Sequence, residues 1–193
     1  MYKLCKTEQS AKRQKEIANG LFEIMRQKSY EDITVTEVCE KMNMPRKAFY
    51  RYFDSKDDAL YAFIDHSMSE YDGFSVDRSG ESLRQLTAEL EEYFIFWKER
   101  REVLAVLDRS GLLGVLIERT VNFPVEDRIS VSKFLPDDGE TERSMIFKFA
   151  FSGLIYVMIS WYRQGFDVST RDMAKIACRM LREPLFPSLA GWS

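Results

Sequence analysis

The chain has little of what metal and redox chemistry requires. It contains one histidine, His66, and three scattered cysteines, Cys5, Cys39 and Cys178. No CxxC pair occurs, so a Cys/His zinc site lacks ligands and no metal is expected. An odd, dispersed cysteine set gives no disulfide framework and fits a reducing compartment, so a cytoplasmic protein is expected. The nine glycines form no phosphate-cradling loop, and no nucleophile–base–acid set stands out. The expectation is therefore no cofactor and no enzyme. No alternation of β-branched residues is long enough for a sheet, and there is neither an internal repeat nor a low-complexity tract. The opening Met1-Tyr2-Lys3-Leu4-Cys5-Lys6 leads into polar sequence, which reads as no signal peptide.

What is present is apolar and unevenly charged. Of 193 residues 45% are hydrophobic, enough for a real core in one medium domain or in a small module joined to a larger one. The net charge of -3 hides an asymmetry. Residues 1–56 hold 12 Lys and Arg against 8 Asp and Glu, a net of +4. Residues 57–193 hold 16 against 23, a net of -7. A basic N-terminal part on an acidic body is the pattern of a protein that meets phosphate at one end only. Ser144 to Tyr162 approaches the ~20 residues of a membrane span. Lys148 interrupts it and Ser152, Gly153 and Ser160 dilute it. It reads as a helix buried on nearly all sides, with no membrane partner.

The periodicity is helical throughout. A first helix is expected from about 8 to 28, with Ile17, Leu21, Ile24 and Met25 on one stripe. Ser29-Tyr30-Glu31-Asp32 breaks it. Thr34-Val35-Thr36-Glu37 is a capping box for a second helix, with Val38, Cys39 and Met42 turned inward. Asn43 stands where a tight turn needs a left-handed residue, and Pro45 suits the start of a third helix. Asp54 or Ser55 caps a fourth, with Ser55-Lys56-Asp57-Asp58 as a second capping box and Leu60, Phe63, Ile64 and Met68 as its apolar stripe. Residues 72–80 read as a loop, and 71–80 as the best hinge. Further helices are expected at about 81–101, 102–110, 112–123 and 140–164, with 124–139 irregular. A stop falls near Gly165, and a final helix, capped by Ser169 or Thr170, ends before Pro184.

The third helix carries Arg46, Lys47, Tyr50, Arg51 and Tyr52, side chains that reach phosphates and base edges, just after a short helix and a tight turn. That is how a helix-turn-helix reader of duplex DNA is built. Lys47-Ala48-Phe49-Tyr50-Arg51-Tyr52-Phe53, followed by Ser55-Lys56, also resembles the signature of TetR-family transcriptional regulators. The match is strongest over roughly residues 12–64. Trp161-Tyr162-Arg163-Gln164-Gly165-Phe166 is similar to the tail of many members. Two departures are Asn43 where the family usually has Gly and Pro45 where Ser or Thr usually caps.

The resemblance implies an all-α fold of about nine helices. Residues 1–56 would be a three-helix DNA-binding domain, and 57–193 a helical ligand-binding and dimerisation domain. It implies that Thr36 meets a phosphate or base edge, that Arg46 and Lys47 enter the major groove, and that Ala48 allows close approach. Tyr50, Arg51 and Tyr52 would serve phosphates or bases, and Lys56 a phosphate at its helix N-terminus. Phe49 and Phe53 belong to the core. Lys12, Arg13 and Lys15 are either a backbone-contacting arm or a solvated helix start. Phe94, Trp97, Tyr156 and Trp161 are the candidate lining of a pocket for a small apolar or aromatic effector, with ordinary core as the competing reading. Phe147, Phe151, Leu154, Met173, Ile176, Ala177 and Met180 are candidates for a homodimer interface, because the helix at 140–164 is apolar on more faces than one core covers. The expected function is a ligand-responsive regulator, a repressor released from a palindromic double-stranded DNA operator. Two alternatives stand beside it: a dimeric co-regulator that contacts another protein, and an all-α enzyme using a carboxylate.

Overall fold

The computed structural model describes residues 2–71, 83–122 and 139–183. Among the described residues the chain is all helical: α1 (Glu8–Met25), a 3-10 turn (Tyr30–Asp32), α2 (Val35–Lys41), α3 (Arg46–Phe49), α4 (Lys56–Ser69), α5 (Leu83–Glu99), α6 (Arg101–Arg109), α7 (Leu113–Val121), α8 (Glu140–Arg163) and α9 (Thr170–Arg182). The loop expected at 72–80, nearly all of the hinge at 71–80, the irregular stretch at 124–138 and the stop at Pro184 lie outside the described residues.

The packing divides the chain into two compact units, Met1–Glu70 with Ala105–Phe123, and Tyr71–Leu104 with Pro124–Ser193. The expected boundary after residue 56 does not coincide with these units. The units are drawn by packing, so α4 and the 105–123 segment join the N-terminal helices.

In the first unit, α1 buries Ile17, Leu21 and Met25 completely. It packs on α4 through Phe22 and Phe63, whose rings stack at 4.3 Å. The helix ends at Met25, short of the expected residue 28. Its last carbonyls, on Met25 and Arg26, accept from the Arg109 guanidinium at 2.8 and 3.1 Å. Thr7 caps α1 through a reciprocal box with Ser10, a start signal the sequence reading missed. The Thr34–Glu37 box is formed as expected. The Ser55 box is only half formed. Ser55 Oγ accepts from the Asp58 N–H, and the Asp58 carboxylate accepts from the Asp54 N–H at 3.0 Å.

In the second unit, α5 packs on α8 and α9. Leu90, Tyr93, Phe94 and Trp97 form its buried stripe. Phe94 meets Trp161 of α8 edge to face at 5.4 Å, and the Trp161 indole donates to the Val168 carbonyl at 3.0 Å. Gly165, at φ 77°, ends α8. Its N–H bonds to the Tyr162 carbonyl and that of Phe166 to the Trp161 carbonyl, while the Phe166 ring closes on Trp161 at 4.6 Å. This is a Schellman stop with its hydrophobic contact, and the left-handed residue it needs is why a glycine sits there.

Two expectations for α8 need correction. The stretch Thr141–Arg163 is long and apolar enough to cross a membrane by length and composition. It is not buried on nearly all sides: 39% of its apolar window is buried inside this chain. Tyr156, expected in a pocket, is 63% exposed, and Phe149 is 73% exposed. A helix that is apolar all round shows no periodicity to say which face turns inward, and the second unit covers the Phe147–Phe151–Leu154 face instead.

Candidate nucleic-acid interface

The reading surface is assembled by two short helices and the turn between them. In α2, Val38 and Cys39 are buried, and burial pushes the Cys39 thiol above its ordinary range. That leaves a packed, unreactive cysteine. Met42, half-buried, lies against Gly20 of α1. The turn is closed at Asn43, whose φ is 47°. The Asn43 N–H bonds to the Glu40 carbonyl at 3.1 Å and that of Met44 to the Cys39 carbonyl at 2.9 Å, a Schellman pair in which Asn replaces the usual glycine. Pro45, extended at ψ 146°, then aims the chain into α3.

This short run of helix has two opposite faces. Phe49 and Phe53 are fully buried, as expected. Arg46, Lys47, Tyr50 and Arg51 are exposed, whereas Ala48 and Tyr52 are half-buried. The Arg46 guanidinium donates to the Tyr50 hydroxyl at 3.3 Å, one helical turn away, and lies 6.0 Å from the ring centroid. Tyr50 is braced edge to face on Phe49 at 5.6 Å. The core thus holds Tyr50, and Tyr50 orients Arg46. Thr36 is exposed at the first turn of α2 and shares with Arg46 an open concavity of about 390 Å³, completed by Glu40, Asn43 and Met44. Among the described residues, Thr36 and Arg46 therefore flank one recess although ten positions separate them.

Lys56, expected at a phosphate, is engaged within the protein. Its ammonium donates to the carbonyls of Tyr30 (2.7 Å), Glu31 (3.2 Å) and Ile33 (2.9 Å), and sits 4.4 Å from the Tyr30 ring centroid. Tyr30 in turn donates to Asp57, and burial followed by that bond pushes its phenol upward. Lys56 and Asp57 fasten the 3-10 turn to the start of α4. Arg13 and Lys15 are also engaged, Arg13 with Glu16 and the Met42 carbonyl, and Lys15 with Glu70. Lys12 remains an exposed cation on α1.

Residues 17–62 match the family described as bacterial regulatory proteins, tetR family. That match to the helix-turn-helix segment supports a TetR-family transcriptional regulator. No curated protein matches it in sequence. Three solved structures share the TetR-like fold at low identity. A tetR-family transcriptional regulator from Streptomyces coelicolor is 15% identical at a TM-score of 0.59, over 88% of this chain and 80% of that one. The fatty acid degradation regulator FadR from Bacillus halodurans is 14% identical at 0.58, over 94% and 98%. The dihydroxyacetone kinase operon activator DhaS is 16% identical at 0.51, over 87% and 93%. The TetR fold supports a DNA-binding transcriptional regulator. The matched segment ends inside α4, so it spans the helix-turn-helix and stops before the second unit.

Proposed function

We propose that this TetR-family regulator reads a near-palindromic duplex as a homodimer in the cytoplasm, and that it represses until a small apolar or aromatic molecule releases it. The two-faced α3 carries the reading. Phe49 of α3 and Phe53 just beyond it are buried, while Arg46, Lys47, Tyr50 and Arg51 are left to solvent. Arg46 and Lys47 serve base edges and phosphates at the helix start, with Thr36 across the recess and Ala48 permitting close approach. Tyr50, Arg51 and Tyr52 serve the backbone. Lys56 acts indirectly, by holding the connector in front of α2. Two copies would set their reading helices in successive major grooves, about 34 Å apart.

The outer face of α8 and α9 supports the pairing. Met145, Phe149, Tyr156, Ile176, Met180 and Leu181 are exposed apolar side chains on these two helices. Ala150, Gly153, Val157 and Met180 line a shallow apolar hollow of about 90 Å³ among them. Of the seven residues expected at the interface, Ile176 and Met180 face outward, while Phe147, Phe151, Leu154, Met173 and Ala177 are buried in the protomer. The aromatic interior of the second unit supports an effector of apolar or aromatic character. Phe94, Trp97 and Trp161 are buried there, and the Tyr93 hydroxyl and Trp97 indole N–H make no hydrogen bond of sound geometry among the described residues. An effector must prefer the non-binding conformation by a few kcal/mol to release the duplex.

Selection of bound sequences from random duplexes tests the reading. A two-fold related motif is expected, with affinity falling steeply between low and moderate salt. The double substitution Arg46→Ala with Lys47→Ala is expected to abolish binding. A protein that ignores every duplex, or a double variant that binds as the parent does, would leave the co-regulator reading in its place. Small-molecule pools added to the bound complex then search for release.

A further inference from the structure

The segment ahead of α1 is fixed at two places. The Tyr2 hydroxyl donates to Asp65 of α4 at 2.8 Å. Asp65 is only 7% exposed and is gripped by two nitrogens of Arg119 on α7, Nε at 3.0 Å and the second by a shorter contact. The Arg119 guanidinium also lies 5.3 Å from the Tyr61 ring centroid. The next residue, Lys3, turns to the reading helix. Its N–H donates to the Tyr52 carbonyl at 3.2 Å and its ammonium to the Tyr50 carbonyl at 2.5 Å, with Asp54 at 2.8 Å. The buried Gln14 amide ties the arrangement together, donating to the Lys3 carbonyl at 2.8 Å and to the Tyr52 carbonyl at 3.4 Å.

The physical consequence follows from the length of α3. Four residues, Arg46–Phe49, are far below the ~12–15 at which a helix stands alone in water. Its position depends on what holds it from outside. The carbonyls at a helix C-terminus have no partner within the helix. Here the carbonyl of Tyr50, the cap residue of α3, is taken by the Lys3 ammonium, and that of Tyr52, in the turn just beyond, by the Lys3 N–H and Gln14. Neighbouring Cα atoms are ~3.8 Å apart across one stiff peptide unit, so a shift of the Asp65–Arg119 pair is felt at the end of the reading helix with little slack between.

We infer that Tyr2 and Lys3 form a strap that positions the reading helix and makes duplex affinity depend on the Asp65–Arg119 pair between α4 and α7. The inference rests on the DNA-reading function proposed above and adds positioning residues that lie outside the helix-turn-helix. Tyr2 touches no nucleic acid in this scheme. It acts through Lys3, and Asp65 and Arg119 act through Tyr2.

The test uses the full chain with Tyr2→Phe, which removes only the hydroxyl. The expected result is a loss of duplex affinity of about 3–10-fold, a part of what one hydrogen bond to a charged group is worth, since Tyr2 acts only through Lys3. The slope of affinity against salt should stay as in the parent, since no phosphate contact is lost. Amide exchange at residues 51–53 should quicken in the free protein, with little change in melting temperature. Arg119→Lys, which keeps the charge but not the two-pronged grip, should weaken binding in the parent and add little in the Tyr2→Phe background. Parental affinity and parental exchange in Tyr2→Phe would overturn the strap. If the parent itself binds no duplex, the DNA reading fails, and the exchange measurement alone still decides whether the strap holds the helix.

Discussion

The sulfur of Met42 occupies the space that a side chain on Gly20 would need. A Cβ built at Gly20 would collide with Met42 Sδ and lie 3.0 Å from its Cγ. Glycine inside a helix ordinarily costs about 0.5–1 kcal/mol relative to alanine. Gly20 is in the middle of α1, so an unhindered Gly20→Ala change would stabilise. Here the added methyl pushes Met42 off the helix it packs on, and overpacking of that kind costs about 1–3 kcal/mol. Gly20→Ala is therefore expected to destabilise by about 1 kcal/mol in denaturant unfolding, the difference of those two effects. In a Met42→Ala background the same substitution should become stabilising. A Gly20→Ala protein at least as stable as the parent would show that Met42 has room to give way.

Glu37 yields a prediction for acid. Its carboxyl donates nothing and accepts from Lys28 and from the Thr34 N–H and hydroxyl. The Lys28 bond, followed by the Thr34 bonds, lowers it from 4.5 to about 2. A depressed carboxyl contributes stability that is complete above its unfolded value and disappears as pH falls through its folded value. The loss attributable to Glu37 should therefore fall between pH 4.5 and about 2. Glu37→Gln should flatten that part of a stability–pH profile while leaving the capping geometry largely in place. An unchanged slope below pH 4.5 in the variant would exclude this carboxyl as the source.

Much of the fold was legible because its signals are local. The Thr34 box, the left-handed Asn43 and the Gly165 stop each depend on residues within about one helical turn, so the sequence carries both partners together. The buried Phe49 and Phe53, against the exposed Arg46 and Lys47, follow from spacing along one short helix and the turn that continues it. What was not legible depends on distant partners. Lys56 reads as a phosphate ligand until the carbonyls of Tyr30, Glu31 and Ile33, more than twenty positions earlier, are seen to take its ammonium. Asp58 reads as the partner of Ser55, but the Asp54 N–H is closer to hand. Tyr2 gives no sequence signal at all, since Asp65 and Arg119 reach it only through the packing of α4 and α7. On α8 the outward Phe149 and the inward Phe151 are two positions apart with only Ala150 between them, and nothing local tells them apart.

Lys56 offers a direct discriminator between fastening and DNA contact. Lys56→Met keeps the aliphatic stem and removes the donors to three carbonyls. Loss of charge-assisted bonds of this kind should lower stability by about 1–3 kcal/mol. If Lys56 works only through the connector, the salt slope of duplex binding should match the parent. A slope smaller by about 0.9 would mean that one phosphate contact had gone, and would restore Lys56 to the interface. Thermal unfolding and salt titration of the same preparation settle the matter together.

The exposed face of α8 and α9 predicts an oligomeric state that a single substitution should change. Phe149 is 73% exposed in the protomer, so replacing it barely touches the core of the second unit. If two copies pack through this face, Phe149 is buried on association, and Phe149→Glu would place an unpaired carboxylate in an apolar contact. Leaving a charge buried and unpaired is costly enough, at about several kcal/mol, to shift a micromolar or tighter dimer to monomer. Sedimentation equilibrium should show a dimer for the parent and a monomer for Phe149→Glu, with equal helical content by circular dichroism. Duplex affinity should then fall as well, because a monomer loses the second half-site while every residue of its own reading helix is intact. A variant that remains dimeric would move the pairing surface elsewhere and leave this apolar face without a partner.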